Sequence, residues 1–205
     1  MTDKPGLAAT FRCTRERTFF AMQAASLPLA AALALAGCNA SVPAPSGLTA
    51  APTATVAYNR DAAFSVGVAP DRAPPLRLGE TLGFRLSSSA DGYGHLYLLN
   101  ASGGVLAVAE NLPLRAGGQT AFPPPGAGYV FRASPPAGVE RLLFLATRQL
   151  FDGFAGGAAK AGPVQLPIGA KAFVKKLNAA TAALPKGGWA LAEERIEIVG
   201  GHGGS

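Results

Sequence analysis

The chain has 205 residues, 49% of them apolar and 15% charged, a balance that supports a core and excludes general disorder. Its 26 glycines and 17 prolines favour short strands and turns over long helices. The formal charge is +6, but beyond residue 37 it comes from 14 basic and 10 acidic side chains scattered along the chain, which excludes a nucleic-acid-binding stripe.

Arg12, Arg15 and Arg17 precede an apolar run from Phe19 to Gly37, interrupted only by Gln23, Ser26 and Pro28. A basic segment followed by such a run is read as a secretory signal, too short and alanine-rich for a comfortable membrane span. The run ends Leu35-Ala36-Gly37-Cys38, which resembles a bacterial lipoprotein box. The resemblance implies that residues 1–37 are removed and that Cys38 is lipidated as the first mature residue. Asn39 in the next position suits onward transport to the outer membrane, and several acyl chains give stable anchoring. Cys13 leaves with the signal, so the mature domain is expected to hold no disulfide.

Residues 38–55 continue as a lipidated cysteine and an uncharged Ala/Pro/Ser/Thr tether, able to reach about 50 Å at polyproline rise. The domain is expected over 56–199, with a flexible tail at 200–205. Strand candidates follow at Ala63–Val68, Thr81–Ser87, Gly94–Asn100, Gly104–Ala109, Gln119–Phe122, Tyr129–Ala133 and Glu140–Thr147. Proline and glycine clusters separate them. Gly94–Asn100 and Gly104–Ala109 flank Gly103-Gly104 and read as a central hairpin. Arg141–Thr147 is nearly all apolar and predicts a buried central strand. Gly153–Gly169 reads as a loop. Ala170–Leu184 is the one helix, with Phe173, Leu177, Ala180 and Leu184 at helical spacing. Trp189–Val199 closes the domain as a strand. The fold class is therefore mostly β: a single antiparallel β-sandwich with one short amphipathic helix in its C-terminal half.

The order of signals from Leu76 to Phe151 is similar to a bacterial family of envelope domains, domain of unknown function 4384. The pieces that carry it are Leu78-Gly79-Glu80, Asp91-Gly92, Gly94-His95-Leu96-Tyr97-Leu98-Leu99-Asn100 with Gly103-Gly104, Arg115-Ala116-Gly117-Gly118, the prolines 123–125 and Pro135-Pro136-Ala137-Gly138-Val139-Glu140. The chain departs from the pattern at His95, where members carry an aromatic, and at Val108-Ala109-Glu110-Asn111. The resemblance implies a compact, mostly β domain of exported bacterial proteins and brings no chemistry with it.

Candidate chemistry is sparse. His95 is the only histidine in the body of the domain, with Asp91 and Ser87–Ser89 nearby, but no Gly-x-Ser-x-Gly elbow accompanies them. Asp91, Glu110, Glu140 and Asp152 lack calcium-loop spacing, and thiol and histidine counts fall short of a zinc site, so no metal and no cofactor is expected. Glu140, after a Pro-Pro-x-Gly turn, is expected to accept N–H groups of that turn. Tyr93, His95 and Tyr97 alternate onto one strand face and form the candidate binding face.

The sequence thus predicts an outer-membrane-anchored lipoprotein with a non-catalytic interaction or scaffold domain, facing the periplasm or the cell surface. Its partners would be the membrane, through the N-terminal lipid, and an envelope protein, with no nucleic acid. A glycan- or peptide-binding module using the aromatic strand face is the alternative, and an envelope hydrolase the third reading.

Overall fold

The computed structural model describes residues 54–156 and 162–200. The expected export signal, Cys38, the expected tether up to residue 53 and the expected tail from residue 201 lie outside the described residues. Eleven strands and one helix occur among those described: β1 (Val66–Pro70), β2 (Leu76–Arg77), β3 (Thr81–Leu82), β4 (Phe84–Ser88), β5 (Gly92–Leu99), β6 (Val105–Leu114), β7 (Gln119–Phe122), β8 (Phe131–Arg132), β9 (Gly138–Thr147), β10 (Val164–Leu166), α1 (Ala170–Ala182) and β11 (Trp189–Val199).

Three layers result. The central one is a six-stranded sheet in the order β10-β6-β5-β9-β11-β2, antiparallel except where β11 meets β2. Alternation along its strands sends successive side chains to opposite faces. Leu96, Val108, Leu142, Phe144, Ala146, Ile196 and Ile198 meet Val68, Phe84, Leu86 and Phe122 of the three-stranded sheet β1-β4-β7. Tyr97, Leu99, Val105, Leu143 and Leu145 meet Phe173, Val174 and Leu177 of α1 on the other side. The mostly β, sandwich-like class is what the structure shows, with α1 laid on the outer face of the larger sheet. Each large side chain buried in these clusters stabilises by roughly 1.5–3 kcal/mol relative to exposure.

Several boundaries differ from the sequence reading, each for a local reason. The strand expected over 81–87 breaks at Gly83, where the chain changes sheets: β3 pairs with β8, while β4 pairs with β1 and β7. Asp71 fills the break, its N–H donating to the Gly83 carbonyl and its carboxylate accepting the Gly83 N–H, both at 2.9 Å. A Cβ at Gly83 would sit 2.6 Å from that carboxylate. Two elements escape the sequence reading altogether. β10 lies inside the expected 153–169 loop and pairs with β6, and β2 is only two residues long. The helix buries Ala170, Phe173, Val174, Leu177 and Thr181, so Val174 and Thr181 replace Ala180 on the packed face. Thr181 tolerates that position because its hydroxyl donates to the Leu177 carbonyl at 3.0 Å.

The segment that enters the domain is tied to the helix side of the large sheet. Asn178 of α1 accepts the Ala57 N–H at 2.9 Å and donates to the Thr55 carbonyl at 3.0 Å, so it pairs with the chain as a strand would. Val56 is buried beneath. Arg141 donates to the Ala54 carbonyl at 2.6 Å and grips Glu193 through Nε at 2.7 Å and Nη2 at 3.0 Å. Tyr58 donates to the same carboxylate at 2.8 Å. The Arg141 fork holds the Glu193 carboxyl below its ordinary pKa, with burial opposing and the Tyr58 hydroxyl assisting. The tether read as ending at residue 55 thus already contacts the fold at Ala54.

Candidate functional site: a buried polar latch

Three of the polar residues singled out in the sequence, His95, Tyr97 and Glu110, converge under the segment 148–156. Two register shifts interrupt the pairing of β5 with β6, one between Gly94 and Leu96 and one between Leu96 and Tyr97. Each adds a residue to β6, which bends it locally. Val108 and Ala109 turn into the inter-sheet core, and Glu110 and Asn111 turn toward the 148–156 segment. Asn111 takes the left-handed conformation, φ 55°, one that asparagine tolerates better than most residues.

Glu110 and Asn111 act as two clamps. Glu110 Oε1 accepts the Tyr97 hydroxyl at 2.9 Å and the Phe154 N–H at 2.6 Å, and both its oxygens lie 3.2 Å from the Ala155 nitrogen. The Asn111 side chain donates to the Phe151 carbonyl at 2.8 Å and accepts the Phe151 N–H at 3.1 Å. Aromatic rings fill the space between. Phe151 meets His95 edge-on at 5.2 Å between centroids, and Phe154 packs against Tyr97, Phe151 and Phe173. Gly153 passes so close to the Glu110 carboxylate that a Cβ would collide with it, and its φ of 69° is itself a left-handed one. Gly153→Ala is therefore expected to cost about 2 kcal/mol or more. Chemical denaturation measures it, and an unchanged midpoint would show that the loop is not seated on Glu110.

His95 is fully buried, and its tautomer follows from its partners. Nδ1 lies 3.3 Å from the Asn111 backbone nitrogen, which can only donate, so Nδ1 accepts and Nε2 carries the proton. Nε2 then donates to Thr147 Oγ1 at 3.2 Å, and Thr147 donates onward to the Gln149 carbonyl at 2.7 Å. Burial pushes the His95 pKa down to about 4, so the ring is neutral at physiological pH. It cannot take the Thr147 proton, because that proton faces a carbonyl and the only free-base nitrogen is already bonded. Tyr97 is raised above the ordinary tyrosine range, first by burial and then by the Glu110 charge beside it.

The other sequence candidates are placed apart from this latch. Asp91 accepts the Ala116 N–H at 2.9 Å, Ser88 donates to the Ala90 carbonyl and Ser89 accepts the Ser65 N–H, so none of them partners His95. Glu140 does accept a backbone N–H, but from Ala101 in the β5–β6 loop and not from its own turn; burial nonetheless lifts its pKa to about 7. The candidate binding face needs correction too. Tyr93, His95 and Tyr97 share a face, as alternation requires, but His95 and Tyr97 have no exposed surface and Tyr93 is half-buried. The face is covered by the chain's own 148–156 segment and α1. What the sequence reading missed is that Glu110 and Asn111 act together as clamps on the 148–156 segment, a role signalled by a polar pair inside an apolar strand. Among the described residues, every buried side-chain polar atom has a hydrogen-bond partner.

The fold and site define a mostly β domain whose buried histidine, tyrosine and carboxylate fasten its own covering loop. Residues 75–149 match the family model described as Domain of unknown function (DUF4384). Comparison with curated proteins and with solved structures finds no match. The matched segment runs from β2 through β9 with two residues beyond, yet β2 reaches the sheet only through β11, which lies outside it. His95 and Asn111 are hydrogen-bonded neighbours within the matched segment.

Proposed function

We propose that this protein is a lipid-anchored component of the bacterial envelope, attached to the outer membrane through Cys38 and serving as a non-catalytic interaction or scaffold domain. The observation that carries the reading is the use made of its reactive side chains. His95, Tyr97, Glu110 and Thr147, the groups with catalytic potential nearest one another, spend their donors and acceptors on holding the 148–156 segment. The lipobox-like Leu35-Ala36-Gly37-Cys38 and the proline-containing stretch after it support the anchor. The docked segment at 54–59 supports a domain joined firmly to the chain that would carry it.

Cys38→Ala tests the reading in native membranes. The wild type is expected to fractionate with membranes and to bring a defined envelope complex through solubilisation, and the variant to be released into the soluble fraction. Equal partitioning of the two would overturn the anchor. A wild type that is membrane-bound but always purifies alone would overturn the scaffold role.

A further inference from the structure

The outer face of α1 is built against its own helix. Its 13 residues carry Lys171, Lys175 and Lys176 and no acidic residue. All three lysines are exposed. Lys171 and Lys175 stand at i and i+4, where like charges repel. They occupy the N-terminal half, where the helix dipole disfavours cations. No acidic side chain is in the first turn, and among the described residues none of the three lysines makes an ion pair. No ion pair among the described residues explains this arrangement.

Position supplies the explanation. Lys171, Lys175 and Asn178 follow at i, i+4 and i+7 and so form one stripe on the helix. Asn178 is the residue that pairs with Thr55 and Ala57, so the upstream chain joins the domain at the end of the lysine stripe, about one helical turn from Lys175. The geometry points to α1 as a membrane-facing surface: its lysine stripe seats on the anionic phospholipid headgroups of the bilayer to which the upstream chain is anchored. This rests on the anchor proposed above and adds an orientation to it. Tethering raises the local concentration of headgroups at the stripe, so a weak electrostatic contact suffices. The opposite surface of the domain, the outer side of the β1-β4-β7 sheet where Arg85 is exposed, then faces away from the bilayer and is left for protein partners.

The test uses the full lipidated chain in phosphatidylcholine vesicles with and without phosphatidylglycerol. Flotation reads the anchor, and chemical acetylation of lysines followed by mass spectrometry reads the stripe. Wild type is expected to float with both vesicles. Acetylation of Lys171 and Lys175 should fall roughly fivefold only when phosphatidylglycerol is present, and recover at high salt. Phenylglyoxal labelling of Arg85 should not change. A protein that fails to float overturns the anchor on which the orientation depends. One that floats with its lysines labelled equally in both vesicles overturns the orientation and leaves the anchor standing.

Discussion

Glu110→Ala is expected to free the segment around Phe154 from the sheet and to lower stability by roughly 3–5 kcal/mol. The carboxylate is the common acceptor for the Tyr97 hydroxyl and the N–H groups of Phe154 and Ala155. Each buried donor left without a partner costs about 1–3 kcal/mol. Opening of the loop lets the two amides reach water, which keeps the total below a simple sum. The opening in turn removes Phe154 from Tyr97 and Phe173 and wets that side of the core. Glu110→Gln, which keeps one acceptor oxygen, should lose markedly less. Urea denaturation measures the stability, and hydrogen exchange at Phe154 and Ala155 reads the loop directly. Unchanged exchange in the alanine variant would mean that aromatic packing alone holds the segment.

A second large effect is expected from pH. Burial raises the Glu140 pKa from 4.5 to about 7, so the folded domain favours the protonated carboxyl. The stability this group contributes is present below pH 4.5 and is lost as pH rises through about 7. Glu140→Gln imitates the protonated form and should stabilise the domain by about 2–3 kcal/mol at pH above 7, with the advantage vanishing toward pH 4.5. His95 works in the opposite sense over an overlapping window. Its pKa is depressed from 6.5 to about 4, so its contribution is present above 6.5 and is lost as pH falls through about 4. In the wild type the two slopes offset one another. The glutamine variant should therefore reveal a steep loss toward acid that the wild type conceals. Thermal or urea unfolding across this range checks it, and parallel profiles for the two proteins would refute the assignment to Glu140.

The strands were legible because alternation and turn residues are local signals. Gln119–Phe122 and Trp189–Val199 were read with the bounds the structure gives them. β10 was hidden because Val164–Leu166 is a strand only by virtue of β6 beside it, in a stretch whose own composition reads as loop. The break at Gly83 was hidden for a related reason, since Asp71, which fills it, lies twelve residues upstream. Alternation placed Tyr93, His95 and Tyr97 on one face correctly, but whether a face meets solvent depends on what the chain later lays over it. Phe151, Phe154 and Phe173 cover this one, and periodicity along β5 carries no record of them. The bulges that aim Glu110 and Asn111 are likewise a property of two paired strands and not of either alone.

The sheet order carries a consequence for how the protein comes to be folded. β11, the last strand among the described residues, lies between β9 and β2, and Ile198 pairs with Leu76 from near the start of the domain. Closure of so long a loop is slow, and it cannot begin until Trp189–Val199 is present. A chain still being synthesised therefore has no complete sheet. The same order makes an unfinished chain conspicuous. A product that stops before Trp189 leaves the whole of β9 as a bare, apolar edge, open to aggregation and to proteolysis.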